Sequence, residues 1–544
     1  MAWTQVYTPI ADSVAISALC AAIPLFILFY MLAVRQAKGH IAAIAGAVGA
    51  ILVAIILWGM PVGLAASSFL NGAAFGLFPI VWIVITAVWI YNMTVESGQF
   101  EIIKYSLASM TNDRRLQALF IAFAFSCFIE GTAGFGTPAA IAAAMLMGLG
   151  FSPLWAGGIA LIANTAPVAF GAIGVPVIVA AQVSGLDLGM VSSIAGRELA
   201  VLGIIVPLWV CVAMSGKRAL EVLPAIIVSG VAFAGVVLIL SNLHGPTLVD
   251  VGAAAAAIIA LVALLRVWKP ANVFVFEGEE VAEVESGKYT GGEIINAWLP
   301  YLILAVFVFF WGLGTIKSFL NGIPGCDLSF FWPGLHGEVL KTMPIAPEGT
   351  VYGAKFGFTW LSAGGTAIFL SGVVSVPFLK GYGFGKAIPC FTKTLGQLGK
   401  SILTIALILG LAYVMNYSGM SSTLGLAFTH TGSFFPLFAP FLGWLGVFLT
   451  GSDTSSCALF SGMQKETALA VGMQPELAVA ANAAGGVTAK MISPQSLAVA
   501  TAATNSVGME GQLFRFCIGH SIAMTVILSI ITYLLAGPLS ALAH

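Results

Sequence analysis

The stretch Glu130-Gly131-Thr132-Ala133-Gly134-Phe135-Gly136-Thr137-Pro138 has a counterpart in Thr450-Gly451-Ser452-Asp453-Thr454-Ser455-Ser456. Each is a small, polar, glycine-rich break between apolar arms. Asn164, Pro176 and Arg197 follow the first; Asn482, Pro494 and Arg515 follow the second. Asparagine to proline is 12 residues in both, and asparagine to arginine is 33. Hydrophobic segments broken by Gly and polar residues, once in each half of a chain, point to a transporter's binding site.

Composition sets the frame for that reading. The 544 residues are 59% hydrophobic and 8% charged, with a mean hydropathy of +1.03. Soluble domains carry about 25% charged residues, so the pattern is that of an all-α polytopic membrane protein. A net charge of -1 offers nothing to nucleic acid. The seven cysteines fall mostly in apolar segments, with Cys326 in a polar one, and imply no disulfide framework. The N-terminal residues lack the basic region and cleavage site of a signal peptide, so the first span reads as retained.

Spans need about 20 apolar residues. About twelve are expected, near 13–34, 40–59, 76–95, 153–184, 197–215, 221–241, 248–265, 295–314, 358–379, 401–416, 476–504 and 516–537, with 153–184 and 476–504 broken. Segments 116–150 and 436–472 have arms of only 14–17 residues around the glycine-rich break. Arms that short suit re-entrant hairpins, whose irregular tips survive at membrane depth only inside protein. The polar run 267–293 separates an N-terminal membrane half, 1–266, from a C-terminal half, 294–544, which carries the polar loop 315–357. Residues 99–116 and 384–399 read as amphipathic helices on the inner surface.

Lys and Arg concentrate at 35/38, 104/114/115, 217/218, 266/269 and 380/386/393/400. Placing these in the cytoplasm lets every span alternate and puts both termini outside. The first hairpin then enters from the cytoplasm and the second from outside. The two repeats are therefore inverted, as in many alternating-access transporters.

Charged groups at membrane depth are costly and functional by default. Glu130 lies ~22 Å of helix beyond Arg115 at about 1.5 Å per residue, near or past the middle of the bilayer, where a desolvated carboxyl can exchange a proton near neutral pH. The alternative is a carboxylate that shapes the hairpin tip. Asp453 holds the second tip beside Ser452, Thr454 and Ser455, as helix cap, coupling group or both; hydroxyls and N–H groups at that helix start favour an anion. Thr132 and Gly134 are the corresponding donors in the first tip. Lys490 aligns with Ala172 in the other repeat, and suits a carboxylate substrate or a salt bridge to Glu130 or Asp453. Arg197 is a candidate for a bidentate carboxylate contact, with an interfacial anchor as the alternative. Asn164 with Thr165, and Asn482 with Gly485 and Gly486, mark where the broken helices can unwind; Gln495 follows Pro494. His430 is a structural or proton-carrying histidine. Glu198, Lys465 and Glu466 read as surface or helix-end charges.

Enzyme signatures are missing: no HExxH occurs, no His pairs with Cys at zinc spacing, and 381–386 (GYGFGK) fails the phosphate-loop pattern. No cofactor is expected, and uphill transport would draw on an ion gradient.

EGTAGFGTPAA (130–140), NTAPVAFGAIGVP (164–176), NYSGMSSTLGLAFTHTG (416–432), FLGWLGVFLTGSDTSS (441–456) and KMISPQS (490–496) resemble the bacterial L-lactate permease family over essentially the whole chain. The resemblance implies a lactate permease of the bacterial inner membrane, importing L-lactate with a proton, with D-lactate and glycolate as further substrates. It makes the Glu130 and Asp453 motifs hairpin signatures, and puts Asn164 and Lys490–Gln495 in broken helices. Relatives often have Gly where Ala489 stands. A sodium-coupled or broader carboxylate carrier and an anion channel are the alternatives. A homodimer is left open.

Overall fold

The computed structural model describes residues 2–35, 37–132, 134, 137–276, 288–506 and 508–542. The chain is an all-α polytopic membrane protein. Among the described residues, ten helices are long and apolar enough to cross a membrane, or eleven if the bent pair Pro153–Ala163 and Val168–Ser184 counts as one span. The expectation was about twelve. The run Leu188–Leu243 counts once, yet it contains two helices, Leu188–Ser215 and Leu223–Leu243, that pack on each other across a turn at Gly216. Gly364–Phe378 falls short on length.

Both glycine-rich breaks separate arms that pack against each other. In the first, helix runs from Arg114 to Thr132 through a wide π-helical stretch, and every residue of it is buried. Asp113 caps its start, accepting from the backbone N–H of Arg115 and Leu116. The return arm is Thr137–Gly148. Arg114 ties the two ends together by donating to the Leu149 carbonyl, its guanidinium over the Phe151 ring. In the second, Phe435–Thr450 turns at Gly451, left-handed at φ 71°, into Asp453–Val471. Ser456 Oγ donates to Gly443 O at 3.0 Å and Gln464 Nε2 to Ala439 O at 2.9 Å, lashing the arms side by side.

The two broken helices break differently. The first stops at Asn164, and after a short 3-10 turn the backbone of Ala172, Ile173 and Gly174 is left-handed, φ 45°, 61° and 77°. The second was expected to unwind at Asn482 and Gly485/Gly486. Instead Pro475–Ala489 is continuous helix through those residues, and the break falls at Lys490–Ser493 before Pro494–Ala503. Those glycines serve proximity: a Cβ on Gly485 would run into the Pro440 carbonyl, and one on Gly486 into Asp453 Oδ1.

Residues 384–399 are not a separate surface helix. They continue without interruption into the next span as Phe384–Ser418. The loop 315–357 carries small sheets, one of which takes in the N-terminus: Trp3–Thr4 pairs in parallel with Val339–Leu340. Gln5 Nε2 donates to the carbonyls of Asn416 and Tyr417 at 2.9 and 2.7 Å. Linker residues 268–276 strap the base of the first hairpin. Asp113 and Arg115 form a fully buried ion pair at 2.7 Å; Asp113 also accepts from Phe274 N–H, and Arg115 donates to the Asn272 carbonyl, both at 3.0 Å. Within the polar run, residues 277–287 lie outside the described residues.

Candidate functional site

The hairpin tips and the two helix breaks meet at one small cavity of about 50 Å³. Glu130 and Gly134 enter it from the first hairpin, Gly451, Ser452, Asp453 and Thr454 from the second. Gly171, Ala172 and Pro176 come from one broken helix, Lys490 and Gln495 from the other. Glu130 is 3% exposed, Asp453 2% and Lys490 8%. Glu130 Oε2 and Asp453 Oδ2 have no hydrogen-bond partner. Lys490 acts electrostatically on both carboxyls, yet forms no ion pair within 4.0 Å among the described residues. A cation shared between two acids, locked to neither, can be handed to an arriving anion. The cavity has room for a water or two.

Close backbone approach makes the cavity small. A Cβ on Gly171 would lie 2.8 Å from Glu130 Oε1, and one on Gly134, itself at φ 56°, would lie 3.1 Å from the Ala172 Cβ. Ser452 caps Asp453–Val471 by accepting from Ser455 N–H, which aims that helix start, with its unpaired N–H groups, towards the cleft.

Other sequence candidates sit around this centre. Asn164 lies beside Glu130 and donates to Ser126 Oγ at 3.3 Å; the buried Thr165 hydroxyl next to it has no partner. Thr132 does not line the cavity; its hydroxyl bonds back to the Phe128 and Ile129 carbonyls at 3.2 Å. Asn482 supports the second hairpin from behind, accepting from Gln464 at 3.1 Å and reaching Cys457, whose thiol points at Asp453 Oδ1.

Two candidates lie elsewhere. Arg197 bonds the Leu542 carbonyl and Asn242 Oδ1 at the chain's C-terminal end, so the structure does not bring it to the cluster. His430 lines a separate surface cleft with Tyr7 and Thr342. Glu198 is no surface charge: it is fully buried, and one of its oxygens accepts from Thr532 Oγ1 at 2.6 Å. Glu466 is also buried and pairs with Lys341 at 3.7 Å.

The sequence reading missed Asp250, which is 1% exposed, has no hydrogen bond to either oxygen and lies against Gly131. The available signal was an acid just inside the predicted span 248–265. Among the described residues no three His, Cys, Asp or Glu side chains gather as a metal site.

The family model described as L-lactate permease matches residues 17–538. The chain belongs to the L-lactate permease family. Similar proteins include the L-lactate permease of Bacillus subtilis (strain 168) and the glycolate permease GlcA of Escherichia coli (strain K12), each 46% identical over 98% of both chains. The L-lactate permease of Escherichia coli (strain K12) is 44% identical with the same coverage. Among solved structures, the Alcanivorax borkumensis YdaH transporter (15% identity, 86% of each chain, TM-score 0.45) is a distant neighbour. So is Neisseria gonorrhoeae MtrF (14% identity, 87% of this chain and 82% of that one, TM-score 0.46). As a member of a permease family the chain is a transporter and not an enzyme.

Proposed function

We propose that this permease imports L-lactate together with a proton across the bacterial inner membrane, and carries D-lactate and glycolate by the same route. The observation that carries the reading is the convergence of Glu130, Asp453 and Lys490 on one buried cavity. At rest, Lys490 offsets one ionised carboxylate and the other acid is protonated, since uncompensated charge is costly there. An arriving lactate anion takes the lysine, and the displaced carboxylate must accept a proton. Substrate anion and coupling carboxylate thus compete for a single cation, and each lactate brings in a proton. Glu130 is the primary proton carrier, with Asp453 as its partner.

The lactate carboxylate is held by Lys490 and by the donors of Ser452, Thr454 and Ser455 at the helix start; Gln495 meets the hydroxyl. The named relatives, lactate and glycolate permeases, support a small 2-hydroxy acid as cargo. In this reading the halves 1–266 and 294–544 are inverted repeats joined by the linker 267–293. Their hairpins are re-entrant, both termini lie outside, and access alternates about the cavity.

The test is lactate-triggered acidification of the lumen in proteoliposomes of the purified protein, with and without sodium. Saturable acidification without sodium, competed by unlabelled L-lactate, is expected. Uptake that requires sodium and moves no protons would replace this reading with a sodium-coupled carrier, and passive non-saturable flux would replace it with a channel. Glu130→Gln should abolish proton coupling while lactate binding stays detectable.

A further inference from the structure

Asp250 lies in the first turn of the helix Val249–Val267, on neither hairpin nor broken helix. Both of its carboxyl oxygens are buried without a hydrogen-bond partner. The arm carrying Glu130 rests directly on it: a Cβ on Gly131 would come within 2.7 Å of the Asp250 Cβ. The turn just before it, Pro246–Leu248, rests on the first broken helix. A Cβ on Gly174, in the left-handed break, would lie 2.6 Å from Pro246 O. Residues 246–250 therefore touch the Glu130 arm and the first helix break together.

A carboxylate with no donor and no cation is costly in an apolar core, so Asp250 rests protonated and is ionised only in passing. Such a group carries a proton, or borrows one from a neighbour. Among the described residues, the titratable groups acting on Asp250 are Glu130 and Cys127, both from the hairpin arm. The packed helices Gly171–Ser184 and Leu223–Leu243 contain no Asp, Glu, His, Lys or Arg. Lys490 acts on Glu130 and Asp453, and the charged group that acts on Asp250 is Glu130.

We propose that Asp250 is a second proton-carrying carboxyl of the permease, exchanging its proton with Glu130. The O–H bond on Asp250 breaks as one forms on Glu130, directly or through a water, and reverses when Glu130 ionises against Lys490. Two sites in series let Glu130 be charged towards the cavity while the proton stays inside the protein. The proposal rests on the proton-coupled reading above.

Asp250→Asn, a neutral isostere, tests it in proteoliposomes of the full chain. Net lactate uptake driven by an inward proton gradient should fall at least ten-fold and lose its pH dependence. Lactate–lactate exchange, which needs no net deprotonation, should stay within two-fold. Wild-type net uptake in the variant overturns the proposal, as does equal loss of exchange in folded protein. Should the variant not fold, infrared difference spectra of Asp453→Asn, which keeps both Glu130 and Asp250, supply the second test: on lactate binding one carboxylic-acid C=O band should be lost as another is gained, and the absence of that pair overturns the proposal. Failure of the underlying reading looks different, because the wild-type protein would then move no protons with lactate.

Discussion

Ala172 and Lys490 hold equivalent positions in the two broken helices and line the same cavity, but one is a strained methyl and the other a buried cation. The asymmetry divides the work. One broken helix supplies charge at its break, and the other supplies a left-handed backbone that brings Gly171 against Glu130.

Lys490→Met removes the cation that acts on both acids. Truncating one partner of a buried charge contact costs about 2–5 kcal/mol, so the apparent KM for lactate should rise at least ~30-fold. Initial uptake rates in proteoliposomes would show it, and Lys490→Arg should recover part of the loss.

Ala172→Gly should be tolerated and raise thermal stability by about 1 kcal/mol, because a non-Gly residue at positive φ stores strain. Ala172→Val should lower it and block transport, since the Ala172 Cβ already faces Gly134 at close range. Thermal midpoints in detergent and uptake rates separate the two effects.

Gly485→Ala should cost at least about 1–3 kcal/mol, because the added methyl meets backbone at Pro440, which cannot rotate away as a side chain could. A lowered unfolding midpoint and reduced yield of monodisperse protein are expected. Unchanged stability would mean that the hairpin and the broken helix are not in this contact.

Arg197→Gln and His430→Gln should leave lactate KM within about two-fold, in line with substitutions away from a site, usually within about 0.5 kcal/mol. A large KM rise in Arg197→Gln would return this residue to the substrate site.

The charges at depth were legible in the sequence because an acid or lysine amid apolar residues has few structural excuses. Glu130, Asp453 and Lys490 were found that way. Asp250 was not, because an acid two positions inside a predicted span looks like an end charge. Glu198 was misread through its neighbour: successive residues on a helix point about 100° apart, so Arg197 faces the rim while Glu198 faces the core. Gly485 and Gly486 read as breakers, yet helical glycines also admit a neighbouring backbone, and only the neighbour's position reveals which. The helix Phe384–Ser418 was divided in two because its first half carries Lys386, Lys393 and Lys400. The polarity changes along it while the hydrogen-bonded backbone does not.

The N-terminal strand has a consequence for the order in which the molecule is made. Gln5 bonds carbonyls 411 and 412 residues downstream, and Trp3–Thr4 pairs with Val339–Leu340. At about 5–20 residues per second, residues 3–5 wait tens of seconds for these partners to be made. The amino-terminal segment is a latch that cannot close until residue 417 of the 544 has been made, and a nascent chain stalled after residue 266 would hold none of its partners.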